Sequence, residues 1–505
     1  MAPERFFLEL EPPAEVKASW PHVVIVGGGF AGLRATHRLI GKPVRVTLID
    51  KRNFNLFQPL LYQVATGLVG QADVATPLRQ MVGEAANVQV LLGEVEEIDV
   101  NAKEIVFNER RYAYDHLILA SGSGSSYFGR EEWRPMAPPM KILEHANEIR
   151  RRVLMALEEA EQTPDPEQRR LLQAVAVIGG GPTGCELAGS LIDLMRHACA
   201  RDFKQLRADD CRVLLIDPGD RVLRAMHPKL SEAAGNYLQR QGVQLVLGGR
   251  VQQISATEVV LTIKATGEEQ RVEAATICWT AGVRASHLGK VLAASSGCTI
   301  DKGGRVVVEP DFSIAGHPEV RVIGDLCSYS HTSDGKPLPG MAGPAVQMGG
   351  WVAGDIVARS QGDAVKPFRF SDFGSMAVVG PLYAVADLRG IRLSGLIGWL
   401  VWGLAHLAFM PDMENRLSLL LKWLWQIGTR ERDSLLIIGS HNQHMGVEVG
   451  LERREGLVND NPPETSPSAT PAASPAPSTA EPPAAEPSAP GQTPPAQTPP
   501  AASAP

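Results

Sequence analysis

The stretch VVIVGGGFAG, Val23 to Gly32, decides the fold of the N-terminal part of this chain. It joins a short β-branched strand to Gly27-x-Gly29-x-x-Gly32 and the apolar first turn of a helix. Gly27 permits a tight turn, Gly29 lets a pyrophosphate approach the backbone because it lacks a Cβ atom, and Gly32 allows close helix–sheet packing. The free N–H groups at the helix start favour negative charge. The pattern therefore predicts a dinucleotide-binding βαβ unit.

A second strand supports this prediction. VRVTLI, Val44 to Ile49, follows the glycine triplet and its helix, and Asp50 comes directly after it. In dinucleotide folds, an acid about 20 residues beyond the glycines binds ribose hydroxyls, and Asp50 lies close to that offset from Gly32. A glycine-rich turn in an α/β domain without nucleotide is the alternative interpretation.

The composition is that of a globular enzyme. The chain has 505 residues, which predicts two or more domains, with 44% hydrophobic and 21% charged residues. A net charge of −7 gives no support for a nucleic-acid partner. The six cysteines are scattered without a Cys-x-x-Cys pair, which favours a reducing compartment and argues against a disulfide reductase.

The opening pattern occurs a second time, from Ala174 onward. AVAVIGGGPTGCELAG repeats the strand, the triplet Gly179-x-Gly181-x-x-Gly184 and the helix, and the next strand, RVLLI, ends in Asp217. Two such fingerprints indicate a flavoprotein that holds FAD in one domain and NAD(P)H in the other, with hydride passing between them.

Three further stretches are candidates for cofactor contacts. KRNFNLFQPLLYQVATG, Lys51 to Gly67, is aromatic and amide-rich, and we interpret it as a buried segment lining a cofactor; ordinary core packing is the alternative. DHLILASGS ends a strand in Ser121 and Gly122, small residues that allow close approach to a ligand. RVIGDLC leads to Asp325, which can accept hydrogen bonds from ribityl hydroxyls or be a simple turn residue.

The C-terminal part changes character at Ser394. Residues Ser394 to Met410 include no charged residue, and Leu417 to Ile427 include one, Lys422. Because a membrane span needs about 20 apolar residues, we predict attachment to a membrane face without crossing it. A buried helical hairpin at a dimer interface is the alternative. The membrane interpretation places these aromatic and basic residues at the lipid boundary: Trp399, Trp402, Trp423, Trp425, Arg416, Lys422, Arg430 and Arg432.

From Pro21 to Gly439 the sequence resembles the type II NADH dehydrogenases, the non-pumping NADH:quinone oxidoreductases. The resemblance rests on GGGFAG, NFNLFQPLLYQVATG, HLILASG, GGGPTGCELAG, TAGV, VIGD and the tryptophan-rich region. It implies an α/β fold with two Rossmann-like domains for FAD and NADH, a C-terminal membrane-associated helical region and a disordered tail. It also implies electron transfer to a membrane quinone, a homodimer and a place on the cytoplasmic face of the cell membrane.

The resemblance assigns roles residue by residue. The positions expected to contact FAD are Gly27, Gly29, Phe30, Ala31, Gly32, Asp50, Lys51, Gln63, Val95, Ser121, Gly122, Asp325 and Gln347. Those expected to contact NADH are Gly179, Gly181, Thr183, Gly184, Glu186, Asp217 and Gly282. Glu186, near the nicotinamide, and Gln347, on the quinone side of the flavin, are the catalytic candidates, and no metal is expected. Glu186 as a structural helix acid is the alternative.

Asp217 bears on the choice of cofactor. Its charge repels a 2′-phosphate, which favours NADH over NADPH, and Arg221 could soften that preference.

One departure from the family pattern concerns the quinone. The family usually has Ala-Gln-x-Ala-x-Gln before the helix beside the flavin, whereas this chain has Gly343 and Pro344 and keeps Gln347. The quinone type therefore stays open. A sulfide:quinone oxidoreductase, which needs paired cysteines over the flavin, and a non-catalytic NADH sensor docked on membranes are the two other classes considered. Cys327 lies near the flavin face but has no clear partner in the sequence.

The predicted domain organisation has five parts. They are an N-terminal arm (1–20), an FAD domain in two pieces (21–135 and 310–365), an NADH domain (136–309), a membrane-attachment region (366–455) and a disordered Pro/Ala-rich tail (456–505).

Overall fold

The computed structural model describes residues 16–432 and 435–438. The predicted disordered tail and most of the predicted arm lie outside the described residues. The strands are β1 His22–Val26, β2 Arg45–Asp50, β3 Phe54–Leu56, β4 Ala75–Pro77, β5 Val88–Leu92, β6 Val95–Asp99, β7 Glu104–Phe107, β8 Arg110–Ala113, β9 His116–Leu119, β10 Ser123–Ser125, β11 Ala174–Ile178, β12 Arg212–Asp217, β13 Val243–Leu247, β14 Gly249–Ile254, β15 Glu258–Ile263, β16 Glu269–Glu273, β17 Thr276–Trp279, β18 Val283–Ala285, β19 Val306–Val307, β20 Ser313–Ile314, β21 His317–Val322, β22 Cys327–Ser328, β23 Ser375–Gly380, β24 Tyr383–Leu388 and β25 Ile391–Ser394. The helices are α1 Phe30–Leu39, α2 Leu61–Ala65, α3 Leu78–Val82, α4 Leu143–Gln162, α5 Pro166–Leu172, α6 Pro182–Arg201, α7 Pro228–Arg240, α8 Leu288–Ser296, α9 Ala342–Ser360, α10 Gly395–Phe409 and α11 Met413–Thr429.

The first fingerprint lies at the centre of a six-stranded sheet with the order β20-β21-β9-β1-β2-β5. Its strands are parallel except for β20 at the edge. Their continuous apolar runs are typical of a parallel sheet buried on both faces. Helix α1 packs closely on α9, since a Cβ atom at Gly349 would lie 2.1 Å from the Ala31 carbonyl oxygen. Two helices that are far apart in the sequence therefore form one layer around the fingerprint.

The second fingerprint lies in a four-stranded parallel sheet with the order β13-β12-β11-β17. Helix α6 follows β11, and strand β23 packs on it so closely that a Cβ atom at Gly189 would lie 2.1 Å from the Val379 carbonyl oxygen. The two sheets are linked by a short antiparallel pair, β10 with β18, in which Gly124 faces Arg284. These two sheets and their helices confirm the predicted α/β fold with two Rossmann-like domains.

Three small antiparallel sheets complete the fold: β6-β7-β8, β14-β15-β16 and β23-β24-β25. The first two are the short meanders that follow each βαβ unit. The sequence analysis did not predict the third, which lies inside the stretch assigned to membrane attachment. Strands β23 and β24 flank a Gly380-Pro381 turn, and their central residues are buried. This sheet covers α6 of the NADH domain.

Helix α11 is held to residues 63–76 by a row of polar contacts. Their donor–acceptor distances are 2.9 Å from Asn415 to Thr76, 2.9 Å from Ser418 to Asp73, 2.7 Å from Lys422 to Asp73 and 2.9 Å from Trp423 to Gln63. Asn415, Ser418 and Lys422 recur at three- and four-residue steps and therefore form one face of the helix, and Trp423 adjoins Lys422 in the sequence.

Several of the residues predicted for the lipid boundary belong to the interior instead. Trp402 and Trp423 are 1% and 6% exposed, and their rings lie 5.2 Å apart. Lys422 is paired with Asp73, and the nearly buried Arg432 with Asp193. The prediction is therefore wrong for Trp402, Trp423 and Arg432, whose side chains are enclosed by the protein. For Lys422, whose side chain is 30% exposed, it stays a prediction.

The other side of α10 and α11 is an exposed apolar face. It consists of Leu396, Ile397, Leu400, Leu404, Phe409, Met413, Leu417, Leu420, Leu421, Leu424, Trp425 and Ile427. A contiguous set of this size marks an interaction site on a soluble fold. Within the described part of the chain, every helix falls short of the length or apolarity needed to cross a membrane.

Candidate functional site

The two glycine fingerprints have the same geometry. Gly27 and Gly179 have φ of 106° and 117°, so both turns require glycine. A Cβ atom at Gly32 would lie 1.8 Å from the Gly27 carbonyl oxygen, and one at Gly184 would lie 1.8 Å from that of Gly179. These four glycines thus serve the tight turns and the close contact of helix and strand.

The middle glycine of each triplet is different. A Cβ atom at Gly29 or Gly181 would meet nothing within 4 Å. Both residues are the N-caps of the helices that follow, and no side chain caps either helix. Each fingerprint therefore forms an open cradle of N–H groups at a helix N-terminus, which fits a pyrophosphate.

The acids that end β2 and β12 occupy matching positions. Asp50 accepts hydrogen bonds from the backbone N–H groups of Gly28 (2.6 Å) and Arg52 (2.7 Å). Asp217 accepts from Gly180 and Gly219, both at 2.7 Å. Burial raises the pKa of Asp50, and the two N–H groups partly offset this effect. Each carboxylate thus lies beside its cradle, with further acceptor capacity for ribose hydroxyls.

The surroundings of Asp217 contain a residue that the sequence analysis missed. Arg224 has its Nε 3.7 Å from Asp217 Oδ1, and its side chain is 57% exposed. Arg221, the arginine singled out from the sequence, donates instead to the carbonyl oxygens of Met226 and Arg224. Spacing along the chain could not distinguish these two arginines, because the turn after Asp217 determines which side chain lies beside the Asp217 carboxylate.

At the adenosine end of the first cradle, Lys51 lies 3.9 Å from Glu94, and Val95 begins β6 with its side chain buried. Phe30 and Ala31 form the first turn of α1, and Thr183 lies in the first turn of α6. Phe30, Ala31 and Thr183 thus lie at the starts of the two helices that follow the cradles, and the cofactor contacts assigned to these positions stay predictions.

The strand ends bring together the flavin candidates. Asp325 accepts a hydrogen bond from Ser123 Oγ at 2.7 Å and lies 3.7 Å from Lys141 Nζ. Ser121 Oγ is buried without a hydrogen-bond partner among the described residues, and Gly122 has φ of 70°. An unpaired buried hydroxyl beside an open cradle fits a polar ligand. Ser123 belongs to the strand-end motif but was not among the predicted contacts, and nothing in the sequence pointed to Lys141.

Gly282 occupies the corresponding position after β17. It has φ of 82°, and a Cβ atom there would lie 2.5 Å from the Phe128 ring. Phe128 is 71% exposed and also contacts Trp279 edge-on. The strand end is therefore covered by an aromatic side chain from the linker between the two sheets.

Glu186 lies in the second turn of α6, where its Oε1 accepts a hydrogen bond from the Val378 N–H of β23 at 3.4 Å. Burial raises the pKa of Glu186 to about 8, and the hydrogen bond partly offsets this effect. Burial, together with the charge of Glu186, also raises the pKa of Tyr62. Glu186 is therefore largely protonated at neutral pH, and its charge influences the Tyr62 hydroxyl.

The side-chain amides of Gln63 and Gln347, both assigned to FAD contacts, already have hydrogen-bond partners within the protein. Gln63 is buried, donates to Tyr62 OH at 3.1 Å and accepts from Trp423. The Gln347 amide makes two 2.9 Å hydrogen bonds with the backbone of Ser371. Gln63 thus ties α2 to α11, and Gln347 fixes the segment that follows α9.

The departure at Gly343-Pro344 falls in the first turn of α9. Proline is compatible with this turn because its missing N–H would have no partner inside the helix. A Cβ atom at Gly343 would meet nothing within 4 Å, so this helix start is as open as the two cradles.

A cavity of about 550 Å³ lies between α6, α11 and the β23–β24 turn. Tyr62 and Gln63 line it, as do the indoles of Trp399, Trp402 and Trp423. Ionisable groups, among them Asp193, His197 and Arg430, also line it. The cavity therefore joins an aromatic wall from the C-terminal helices to the surroundings of Glu186.

Fold and cradles define a flavoprotein class with two dinucleotide sites. The family model for pyridine nucleotide-disulphide oxidoreductases matches residues 21–349. The type II NADH:quinone oxidoreductase Ndh of Mycobacterium tuberculosis is 38% identical over 439 residues, covering 85% of this chain and 93% of that protein. NdhA of the same organism is 38% identical over 424 residues, covering 82% of this chain and 89% of its own length.

Solved structures agree at the level of the fold. NDH2 of Plasmodium falciparum in complex with NADH has a TM-score of 0.76 at 18% identity, over 83% of this chain and 100% of that one. The sulfide:quinone oxidoreductase of Aquifex aeolicus has a TM-score of 0.61 at 18% identity, over 83% of this chain and 93% of its own.

The chain belongs to the type II NADH:quinone oxidoreductase family, flavoproteins that pass electrons from NADH to quinone. This confirms the resemblance drawn from the sequence, with FAD and NADH as cofactors. Sulfide:quinone oxidoreductase is a neighbour in fold alone.

Proposed function

We propose that this chain oxidises NADH and reduces a membrane quinone while it lies on the cytoplasmic face of the cell membrane. The pair of open glycine cradles at Gly29 and Gly181 supports this proposal most directly. Each lies at a helix N-terminus beside a strand-end acid, and the two parallel sheets that carry them are linked through β10 and β18. Two dinucleotides on linked sheets are what a hydride transfer between them requires.

We assign FAD to residues 21–135 with 310–365, and NADH to residues 136–309. FAD, when bound, supplies the acceptance of a hydride and the release of two electrons. The N–H groups at the start of α1 hold its pyrophosphate, and Asp50 holds its ribose. Asp325, oriented by Ser123 and Lys141, accepts from the ribityl hydroxyls. The cradle of α6 and Asp217 hold NADH in the same way.

We place quinone entry in the cavity beside the C-terminal helices, because its aromatic wall suits an apolar ring. Quinone reduction by NADH consumes one net proton from solvent. Glu186 can hold that proton on its carboxyl group at neutral pH, next to Tyr62. Tyr62→Phe should slow quinone reduction more than flavin reduction by NADH in stopped-flow traces, and equal impairment of both would contradict this placement.

Gln347 keeps its proposed place beside the flavin on the quinone side. We propose that it acts by holding the backbone at Ser371, with which its amide makes two hydrogen bonds. We expect Gln347→Ala to slow quinone reduction more than flavin reduction. Gln361→Ala, at the C-terminal end of the same helix, is the matched control and should leave both rates unchanged.

The partner of the exposed apolar face is proposed to be a lipid bilayer. A long-tailed quinone must reach the flavin from lipid, and the cavity walls come from the same two helices. A homodimer is proposed as well. Light scattering in the presence and absence of detergent distinguishes a face that binds lipid from a face that pairs with a second copy. A dimer that persists only without detergent would show that the face pairs with a second copy.

The activity is tested on the purified full chain. We expect released flavin to be FAD, and NADH oxidation to rise strongly on adding a water-soluble quinone. Sulfide should not bleach the flavin. Bleaching by sulfide would favour the sulfide:quinone oxidoreductase class, and NADH binding without turnover would favour a sensor.

A further inference from the structure

Two cysteines that are scattered in the sequence meet in the NADH domain. Cys199, near the end of α6, and Cys211, just before β12, have their sulfur atoms 3.4 Å apart. Both side chains are buried, with 2% and 3% exposure, and neither is in a disulfide. Because a disulfide has an S–S distance of about 2.05 Å, the sulfurs need to approach by about 1.4 Å.

The surroundings favour one of the two sulfurs as a thiolate. The Gln173 amide Nε2 donates to both, at 3.6 Å from Cys211 and 3.7 Å from Cys199. The hydrogen bond between the two sulfurs lowers the pKa of Cys211, helped by Gln173 and Arg196, although burial opposes it. The pKa of Cys199 is raised by the same contact. Oxidants attack the sulfur that gives up its proton more readily, which in this pair is Cys211.

The buried cysteines outside this pair are expected to be less reactive. Burial raises the pKa of Cys185, Cys278 and Cys327, which keeps them as inert thiols. The pair instead lies beneath a surface loop, residues 202–210, most of which is at least partly exposed. Glu161 holds this loop by accepting the N–H groups of Lys204 and Gln205, both at 2.9 Å. A small oxidant therefore needs only a local opening of this loop to reach Cys211.

We propose that Cys199 and Cys211 are a redox modification site, which hydrogen peroxide converts into an intramolecular disulfide. The Cys211 thiol gives up its proton, its sulfur attacks one peroxide oxygen, and the O–O bond breaks. A sulfenic acid forms, and the leaving hydroxide takes up the thiol proton to become the first water. The Cys199 sulfur then attacks the sulfenic sulfur, and a second water leaves. The two thiols lose two electrons and two protons, and one hydrogen peroxide becomes two waters.

The pair lies far from the cradle of its own domain. Gly184 is in the first turn of α6 and Cys199 in its last, so most of the helix, about 22 Å at 1.5 Å per residue, separates them. The disulfide would join the end of α6 to the beginning of β12. Glu186 lies near the other end of α6, and Asp217 lies at the other end of β12. Oxidation should therefore leave NADH binding in place and raise the melting temperature of the NADH domain, because it closes a loop in the unfolded chain.

Trypsin offers a direct test on the full, FAD-loaded chain. Cleavage after Arg196, Arg201, Arg207 and Arg212 puts the two cysteines in separate peptides, HACAR and ADDCR. After peroxide treatment, unfolding and alkylation of the remaining thiols, we expect these peptides to be linked with the loss of two hydrogens. Dithiothreitol should separate them.

Variants make the test specific. Cys211→Ser and Cys199→Ser should each abolish the linked peptide, whereas Cys298→Ser, at a half-buried cysteine, should not affect it. Oxidation of Cys298 with both peptides still alkylated would overturn the proposal. A linked peptide that forms only after unfolding would overturn it too. Retention of FAD and of NADH oxidation in each variant shows that the fold is intact.

Discussion

At the scale of single residues, the site depends on acids whose surroundings come from distant parts of the fold. Glu186 is a helix acid that holds a proton at neutral pH because β23 contributes to its burial. Asp217 keeps two backbone N–H partners and gains Arg224 as a nearby cation. Neither effect is visible from the neighbouring sequence alone, since Val378, which bonds Glu186, belongs to a distant strand.

The raised pKa of Glu186 makes a prediction about pH. The folded-state pKa of about 8 exceeds the ordinary value of 4.5, so between these values the unfolded chain binds fewer protons. The free energy of unfolding therefore falls as pH rises from about 4.5 to about 8 and stays low above it. We expect Glu186→Gln to raise the melting temperature relative to the parent chain more at pH 9 than at pH 5.

The matched control for this measurement is Glu232→Gln, an exposed glutamate on α7. It should change the melting temperature equally at both pH values. If Glu186→Gln behaved in the same way, Glu186 would not be held protonated in the fold.

A second prediction concerns the nicotinamide cofactor. Asp217→Ala should raise the KM for NADH roughly ten-fold or more, since losing a hydrogen bond from a charged group costs about 1.5–3 kcal/mol. It should also reduce discrimination against NADPH, because Arg224 is then released to meet a 2′-phosphate. The double variant Asp217→Ala/Arg224→Ala should not show this improved use of NADPH, and kcat/KM for both cofactors measures the difference.

Arg221→Ala is the control for this cycle. Arg221 donates to backbone carbonyls, so its loss should lower stability and leave the NADPH to NADH ratio unchanged. A ratio that followed Arg221 rather than Arg224 would reverse the assignment.

At the scale of elements, helix α11 has two different faces. The inner face carries the polar row to residues 63–76, and the outer face is apolar and exposed. Cutting the chain before Ser375 to detach it from membranes would also remove β23, which covers α6 and bonds Glu186. Point substitutions on the outer face are therefore the sharper test.

We predict that Leu404→Glu combined with Leu424→Glu detaches the protein from vesicles of anionic lipid. Each leucine is more than half exposed, and moving such a side chain out of an apolar phase costs about 1.5–3 kcal/mol. Vesicle sedimentation should show roughly 100-fold weaker binding, with NADH-to-flavin transfer intact. Val307→Glu, at an exposed valine outside the apolar face, should bind as the parent does. Unchanged binding of the double variant would exclude the face as the lipid contact.

The sequence analysis succeeded where a pattern is local. The fingerprints and the strand-end acids follow from glycine spacing and strand pattern within a single βαβ unit. Strands β23 to β25 were missed because the helix that they cover, α6, belongs to a distant part of the sequence. Trp423 was misplaced for the same reason: its indole N–H bonds Gln63, and no pattern within α11 shows that partner.

At the scale of the whole molecule, the two cradles are separate sites on separate sheets. Gly29→Val and Gly181→Val should leave the fold intact, because a Cβ atom added at either position meets nothing within 4 Å. We expect Gly29→Val to give a colourless protein and Gly181→Val to keep FAD but lose NADH binding. Absorbance at the flavin band and NADH titration measure the two losses independently.

Gly354→Ala, an equally open glycine inside α9, is the control and should keep both cofactors. Full flavin content in Gly29→Val, or loss of flavin in Gly181→Val, would contradict the assignment of the cradles.

The split of the first domain has a consequence for synthesis on the ribosome. The sheet around the first fingerprint gains its last strands, β20 and β21, only after residue 322 is made. The sheet around the second fingerprint is complete at residue 279. The sheet that comes second in the chain is thus the first to have all its strands. The N-terminal strands stay without β21 and β20 until after the second sheet has been synthesised.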